Sequence, residues 1–122
     1  LAPNVVLNLN AKRQGMQIKW TINDQAYPDV EKIILKVNNF NKILINNESS
    51  RLHPMHLHGQ FFKVLSRNGQ AVDEDYWQDT VLVKAKESVE IGLIPLDKGS
   101  WANHCHALEH AEAGMMTIIE VI

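Results

Sequence analysis

The sequence predicts an all-β fold, an antiparallel sandwich or barrel of about eight short strands. Three observations carry that reading. Apolar residues recur in short runs that often alternate with polar ones, turn-forming residues punctuate the runs, and almost nothing has helical periodicity. The runs are Val5–Leu9, Gln17–Ile22, Lys32–Val37, Lys42–Ile45, Phe61–Leu65, Thr80–Val83, Val89–Ile94 and Met116–Val121. Gln17-Ile18-Lys19-Trp20-Thr21-Ile22 and Val89-Glu90-Ile91-Gly92-Leu93 show the period of two expected of half-buried strands. Asn38-Asn39, Asn46-Asn47-Glu48-Ser49-Ser50, Asn68-Gly69 and Lys98-Gly99 read as turns. Asn68-Gly69, between two apolar runs, is a hairpin signal. Only Ala107–Ala113 reads as helical, as one short segment that Gly114 would end.

The 122 residues suit a single domain, 1–122, with no internal repeat, linker or low-complexity stretch. A hydrophobic content of 45% is enough for a packed core. The net charge of −2 comes with no Lys/Arg cluster, which argues against a nucleic-acid partner. Apolar runs such as Ile33-Ile34-Leu35 are too short to predict a membrane span. The chain opens on Leu1 rather than Met, as a processed protein or an excised fragment would. Its one cysteine, Cys105, cannot form an internal disulfide. All six histidines fall in two short stretches and leave the rest of the chain empty of them.

The first stretch is His53-Pro54-Met55-His56-Leu57-His58-Gly59. In an extended strand His56 and His58 project to one face, roughly 6.5–7 Å apart, a spacing that suits ligands of neighbouring metal ions. Pro54 biases His53 towards extended backbone and interrupts the ladder, so His53 can aim at a separate metal. Gly59 allows a close approach to the backbone. Taken alone, the same residues could form an exposed, histidine-rich edge strand.

The second stretch, His104-Cys105-His106-Ala107-Leu108-Glu109-His110 followed by Gly114-Met115, is more specific. On a strand, His104 and His106 share one face and Cys105 takes the other. The histidines can then serve one site and the thiolate another, with only covalent bonds between them. A turn would return His110 to the cysteine, with Met115 as a cap. Two histidines, a cysteine and a weak axial methionine describe a blue-copper electron-transfer centre. A lone cysteine is otherwise a small buried hydrophobe, and a methionine beside a C-terminal strand is ordinarily core, which is the reading of Met116. A single structural zinc would favour several cysteines and would leave most of these donors unused.

The two stretches resemble the C-terminal copper motifs of the multicopper oxidases, His-Pro-x-His-Leu-His-Gly and His-Cys-His-x-x-x-His-x-x-x-x-Met. Every ligand position matches. Trp77-Gln78-Asp79-Thr80-Val81, Gly99-Ser100-Trp101 and the closing Met115–Val121 are also similar, so the resemblance spans essentially the whole chain. It implies a cupredoxin-like Greek-key fold and the last domain of a longer, laccase-like, copper-dependent oxidoreductase. It implies that His53, Cys105, His110 and Met115 bind a type 1 copper, His56 a type 2 copper, and His58, His104 and His106 the type 3 pair. Electrons from a small one-electron donor, a phenol or a metal ion, would pass from Cys105 to His104 and His106. Dioxygen would then be reduced to water at the trinuclear cluster. A periplasmic or secreted location follows from the resemblance alone.

Two departures qualify that expectation. The family's trinuclear cluster takes its other ligands from a further cupredoxin domain, which this chain lacks, so the isolated chain is expected to be inactive in oxygen reduction. Many bacterial members also carry an acidic residue directly after the second type 1 histidine; here Ala111 stands there, with Glu112 next to it. An autonomous blue-copper carrier and a homo-oligomer with interfacial copper clusters are the alternatives. Against the carrier stand His56, His58, His104 and His106, since it needs only four ligands. The acidic residues Glu109, Glu112 and Asp73-Glu74-Asp75 could attract a metal cation or form a solvated face.

Overall fold

The computed structural model describes residues 2–105 and 114–122. Among the described residues eleven strands make up two sheets: β1 (Val5–Gln14), β2 (Gln17–Ile22), β3 (Ile33–Leu35), β4 (Asn41–Asn47), β5 (His53–Leu57), β6 (Phe62–Arg67), β7 (Gln70–Gln78), β8 (Thr80–Val83), β9 (Ser88–Leu93), β10 (Gly99–Cys105) and β11 (Met116–Val121). One sheet has the order β2-β1-β4-β9-β6-β7 and the other β3-β11-β10-β5-β8. The all-β prediction holds, and all eight predicted runs form strands. The additional three are β5 and β10, which carry the histidine motifs, and β7. The predicted helix at Ala107–Ala113 lies outside the described residues.

The purely antiparallel expectation is corrected. β1 pairs in parallel with β4, and β3 in parallel with β11. In both cases the chain crosses to the opposite sheet between the paired strands, which allows them to run in the same direction. Asn68 and Gly69 both have positive φ, 50° and 78°, and join β6 to β7. That backbone matches the right-handed twist of a hairpin and explains why Asn-Gly occupies the turn.

Alternation sets the core. β4 buries Asn41, Ile43, Ile45 and Asn47, while β6 buries Phe62, Val64 and Ser66. In β5 the inward residues are His53, Met55 and Leu57. In β10 they are Asn103 and Cys105. Cys105 therefore joins one continuous apolar cluster with Leu7, Leu9, Phe62, Val81 and Ile119. Met116, read from the sequence as core, is half-buried and stands opposite His104 in the β10–β11 ladder. Burial falls instead on Met115.

The charged edge strand β7 escaped the sequence reading because its burial pattern is mostly exposed. It is tied to β6 by charge: Arg67 Nε donates to Glu74 Oε2 at 2.9 Å, and Lys63 Nζ to Asp75 Oδ1 at 2.6 Å. Two of the three acids in Asp73-Glu74-Asp75 thus have basic partners. The hydrogen bond from Arg67 holds the Glu74 carboxyl below its ordinary value, against an opposing effect of burial. A depressed carboxylate contributes stability above its unfolded-state value, near 4.5, and loses it as pH falls through the folded one. Glu74→Gln should therefore cost less than about 1 kcal/mol near neutrality. Chemical denaturation of wild type and variant should show the gap closing below about pH 4.5; a pH-independent gap would contradict the assignment.

Candidate metal centre

Sheet geometry divides the histidines. β5 and β10 are adjacent and antiparallel, with His104 opposite His56 and Cys105 opposite Met55. Because side chains alternate, His53 and Cys105 enter the core, while His56 and His104 stand on the other face of the same sheet. The opposed faces predicted for His104 and Cys105 are observed. His106 and His110 lie outside the described residues, as do Glu109, Ala111 and Glu112.

On the inner face, His53, Cys105 and Met115 have no solvent exposure. His53 Nδ1 is 3.5 Å from Cys105 Sγ, although 52 residues separate them in sequence. The Cys105 N–H donates to the Met115 carbonyl at 3.1 Å, which seats the methionine beside the cysteine. Trp20 packs edge-on against the His53 ring, with centroids 5.1 Å apart. The far nitrogen of His53, Nε2, lies 2.8 Å from the buried Ser49 hydroxyl. A thiol and an imidazole thus meet away from water, with Met115 buried next to them through its backbone, and thiol, imidazole and thioether are donor types that suit copper.

On the outer face His56, His58 and His104 cluster. Their ring centroids lie 4.3 Å apart for His56–His58, 4.9 Å for His58–His104 and 5.6 Å for His56–His104. β5 ends at Leu57, yet the shared face expected of His56 and His58 persists in this contact. His56 Nδ1 donates to the Asp79 carbonyl at 3.1 Å, and the Thr80 hydroxyl lies 3.0 Å away. His104 Nδ1 donates to the Cys105 carbonyl at 2.9 Å. A neutral imidazole that donates through one nitrogen keeps a lone pair on the other, so in both residues the lone pair is on Nε2. His58 Nε2 and His104 Nε2 are 2.8 Å apart, and a proton on His58 bridges them. A metal ion could replace that proton. Among the described residues, no three His, Cys, Asp or Glu side chains are arranged to hold one metal ion by themselves.

Sequence reasoning missed the groups that orient these rings, namely Ser49, Thr80 and the Asp79 carbonyl. Asp79-Thr80 stood within a stretch noted for its resemblance, whereas Ser49 stood in a segment read only as a turn. The close approach anticipated at Gly59 is to Trp101: a Cβ there would collide with the Trp101 ring. Next to Gly59 and Gln60 opens an apolar groove of about 620 Å³ lined by Phe61, Trp77, Ile94 and Leu96, all exposed.

Comparison with known proteins shows the family. The sequence profile of the multicopper oxidases matches residues 1–122. The chain belongs to the multicopper oxidase family. It is 33% identical over 117 residues to the multicopper oxidase mco of Staphylococcus aureus, covering 90% of this chain and 26% of that protein. To the multicopper oxidase MmcO of Mycobacterium tuberculosis it is 30% identical over 103 residues, covering 84% and 20%. Among solved structures, the multicopper oxidase of Campylobacter jejuni, a metallo-oxidase, superposes with a TM-score of 0.82 at 25% identity. That match covers 99% of this chain and 30% of the other. The chain thus spans only 20% to 30% of the length of these multicopper oxidases.

Gly59 has a φ of 73° and no room for a side chain, immediately after His58. Gly59→Ala should destabilise the fold by about 2–4 kcal/mol, combining left-handed strain with overpacking against Trp101. Denaturant unfolding would measure this, and a loss below about 0.5 kcal/mol would contradict the close packing.

Proposed function

We propose that this chain is the copper-binding C-terminal domain of a longer multicopper oxidase. It accepts electrons at a type 1 copper and delivers them to a trinuclear cluster that reduces dioxygen to water. The observation that carries this reading is the division of adjacent residues between the two faces of one sheet. Cys105 lies in the core beside His53 and Met115, and His104, its neighbour in sequence, lies among the outer histidines.

The inner site is a type 1 centre of His53, Cys105, His110 and Met115. Copper held there would supply one-electron redox chemistry, and the chain's residues set the terms. The thiolate and thioether favour the reduced ion, the imidazoles serve both states, and the surrounding core excludes water. From Cys105 the route to His104 has two strands, the covalent backbone and the hydrogen bond between the Cys105 carbonyl and His104 Nδ1. The route to His106 follows the backbone. His56 serves the type 2 position, and His58, His104 and His106 the type 3 positions.

The outer histidines supply half of a cluster. Its other ligands come from another cupredoxin domain of the same protein, for which Phe61, Trp77, Ile94 and Leu96 provide an apolar seat beside His58. The electron donor is a small molecule, a phenol or a metal ion, and the protein works in the periplasm or outside the cell. The names of the similar proteins, both multicopper oxidases, agree with this reading.

Copper-loaded protein should show an intense blue thiolate-to-copper absorption that Cys105→Ser abolishes. A colourless loaded protein with an intact thiol would refute the type 1 assignment. Met115→Leu should retain the colour and raise the reduction potential, because loss of a weak axial donor favours Cu(I). An unchanged or lowered potential on voltammetry would remove Met115 from the ligand set.

A further inference from the structure

Ser49 has no place in the resemblance from which the ligands were read, yet it is a buried polar group in contact with His53. Its Oγ lies 2.8 Å from His53 Nε2, and Ser49, Asn47 and His53 are all buried. The direction of that hydrogen bond follows from the surrounding network. Asn47 Nδ2 faces three carbonyl oxygens, of Arg51 at 2.7 Å, Val83 at 3.2 Å and Lys84 at 3.0 Å. Only the amide NH₂ can sit against three acceptors, so the orientation of the Asn47 side chain is fixed.

Asn47 Oδ1 then points at Ser49, accepting its N–H at 3.0 Å and lying 2.6 Å from its Oγ. A carbonyl oxygen can only accept, so the single hydroxyl proton of Ser49 goes to Asn47. The Arg51 carbonyl, 3.2 Å from the same hydroxyl, is a longer alternative already occupied by Asn47 Nδ2. The Ser49 oxygen is left as an acceptor, which it is also for the Arg51 N–H at 3.3 Å. Its contact with His53 therefore requires a proton on His53 Nε2. In a neutral imidazole that leaves the lone pair on Nδ1, the nitrogen 3.5 Å from Cys105 Sγ.

We infer that Ser49, held by Asn47, is a positioning residue that fixes His53 in its Nε2–H tautomer and thereby presents Nδ1 as the metal ligand beside Cys105. The step from tautomer to copper rests on the type 1 centre proposed above; the tautomer itself does not. An acceptor on the distal N–H also makes a ligating imidazole a stronger donor, which favours Cu(II). The outer histidines His56 and His104 are set the opposite way, with the proton on Nδ1. Each face of the sheet thus selects its own ligand nitrogen through its own hydrogen bonds.

The test is nitrogen-15 NMR of the histidine side chains in the metal-free full-length protein, followed by copper loading and voltammetry of wild type, Ser49→Ala and Ser49→Thr. Wild-type His53 should be the Nε2–H tautomer, and Ser49→Thr, which keeps the hydroxyl, should preserve it. Ser49→Ala should lose that preference and, once loaded, bind Cu(II) about tenfold less tightly relative to Cu(I), a rise in potential of about 59 mV. An Nδ1–H tautomer in the wild type overturns the inference without any variant. So does a Ser49→Ala protein whose tautomer and potential both match the wild type. If the wild type takes up copper without a blue centre, the type 1 reading fails, while the NMR result still decides the role of Ser49.

Discussion

The whole arrangement depends on the peptide unit that joins His104 to Cys105. In a strand, consecutive side chains must point to opposite faces, so placing this bond inside β10 sends a thiol into the core and an imidazole out of it. β5 repeats the division next door, with His53 inward and His56 outward. Two chemically different sites then sit back to back across the thickness of one sheet. No domain boundary or flexible loop is needed to keep them apart. The ladder that places His104 opposite His56 and Cys105 opposite Met55 fixes both sites together.

Hydrogen bonding completes what alternation begins. A histidine in the right place is a ligand only if the correct nitrogen is free, and the surroundings decide which one that is. Backbone carbonyls of Asp79 and Cys105 occupy Nδ1 of His56 and His104. For His53 a side-chain relay through Ser49 and Asn47 occupies the other nitrogen. Asn47, Ser49 and His53, all buried, therefore satisfy one another and orient the His53 ring at the same time.

Much of the architecture was legible in the chain. Runs such as Gln17–Ile22 and Val89–Ile94 carried the period of two, and Asn68-Gly69 marked its hairpin, because these signals are local. β7 was missed because an edge strand with both faces largely in water has no reason to alternate, and its pairing rests on Arg67 and Lys63 from the neighbouring strand. The parallel pairings of β1 with β4 and β3 with β11 join segments distant in sequence, and no short pattern encodes them. The histidines announced themselves by type and spacing. Asn47 and Ser49 did not, since in Asn46-Asn47-Glu48-Ser49-Ser50 the residues that orient a ligand have the same composition as an ordinary turn.

The position of β10 inside its sheet has a consequence for how such a protein can diversify. With β11 on one side and β5 on the other, this strand cannot shift its register without breaking two ladders. The span between the inner and outer sites is accordingly a property of the backbone, indifferent to most changes of side chain. The apolar groove beside Gly59 lies on the surface and is under no such constraint. Selection can therefore remodel that surface while the segment joining the two faces keeps its length, so that novelty accumulates at the rim of a fixed frame.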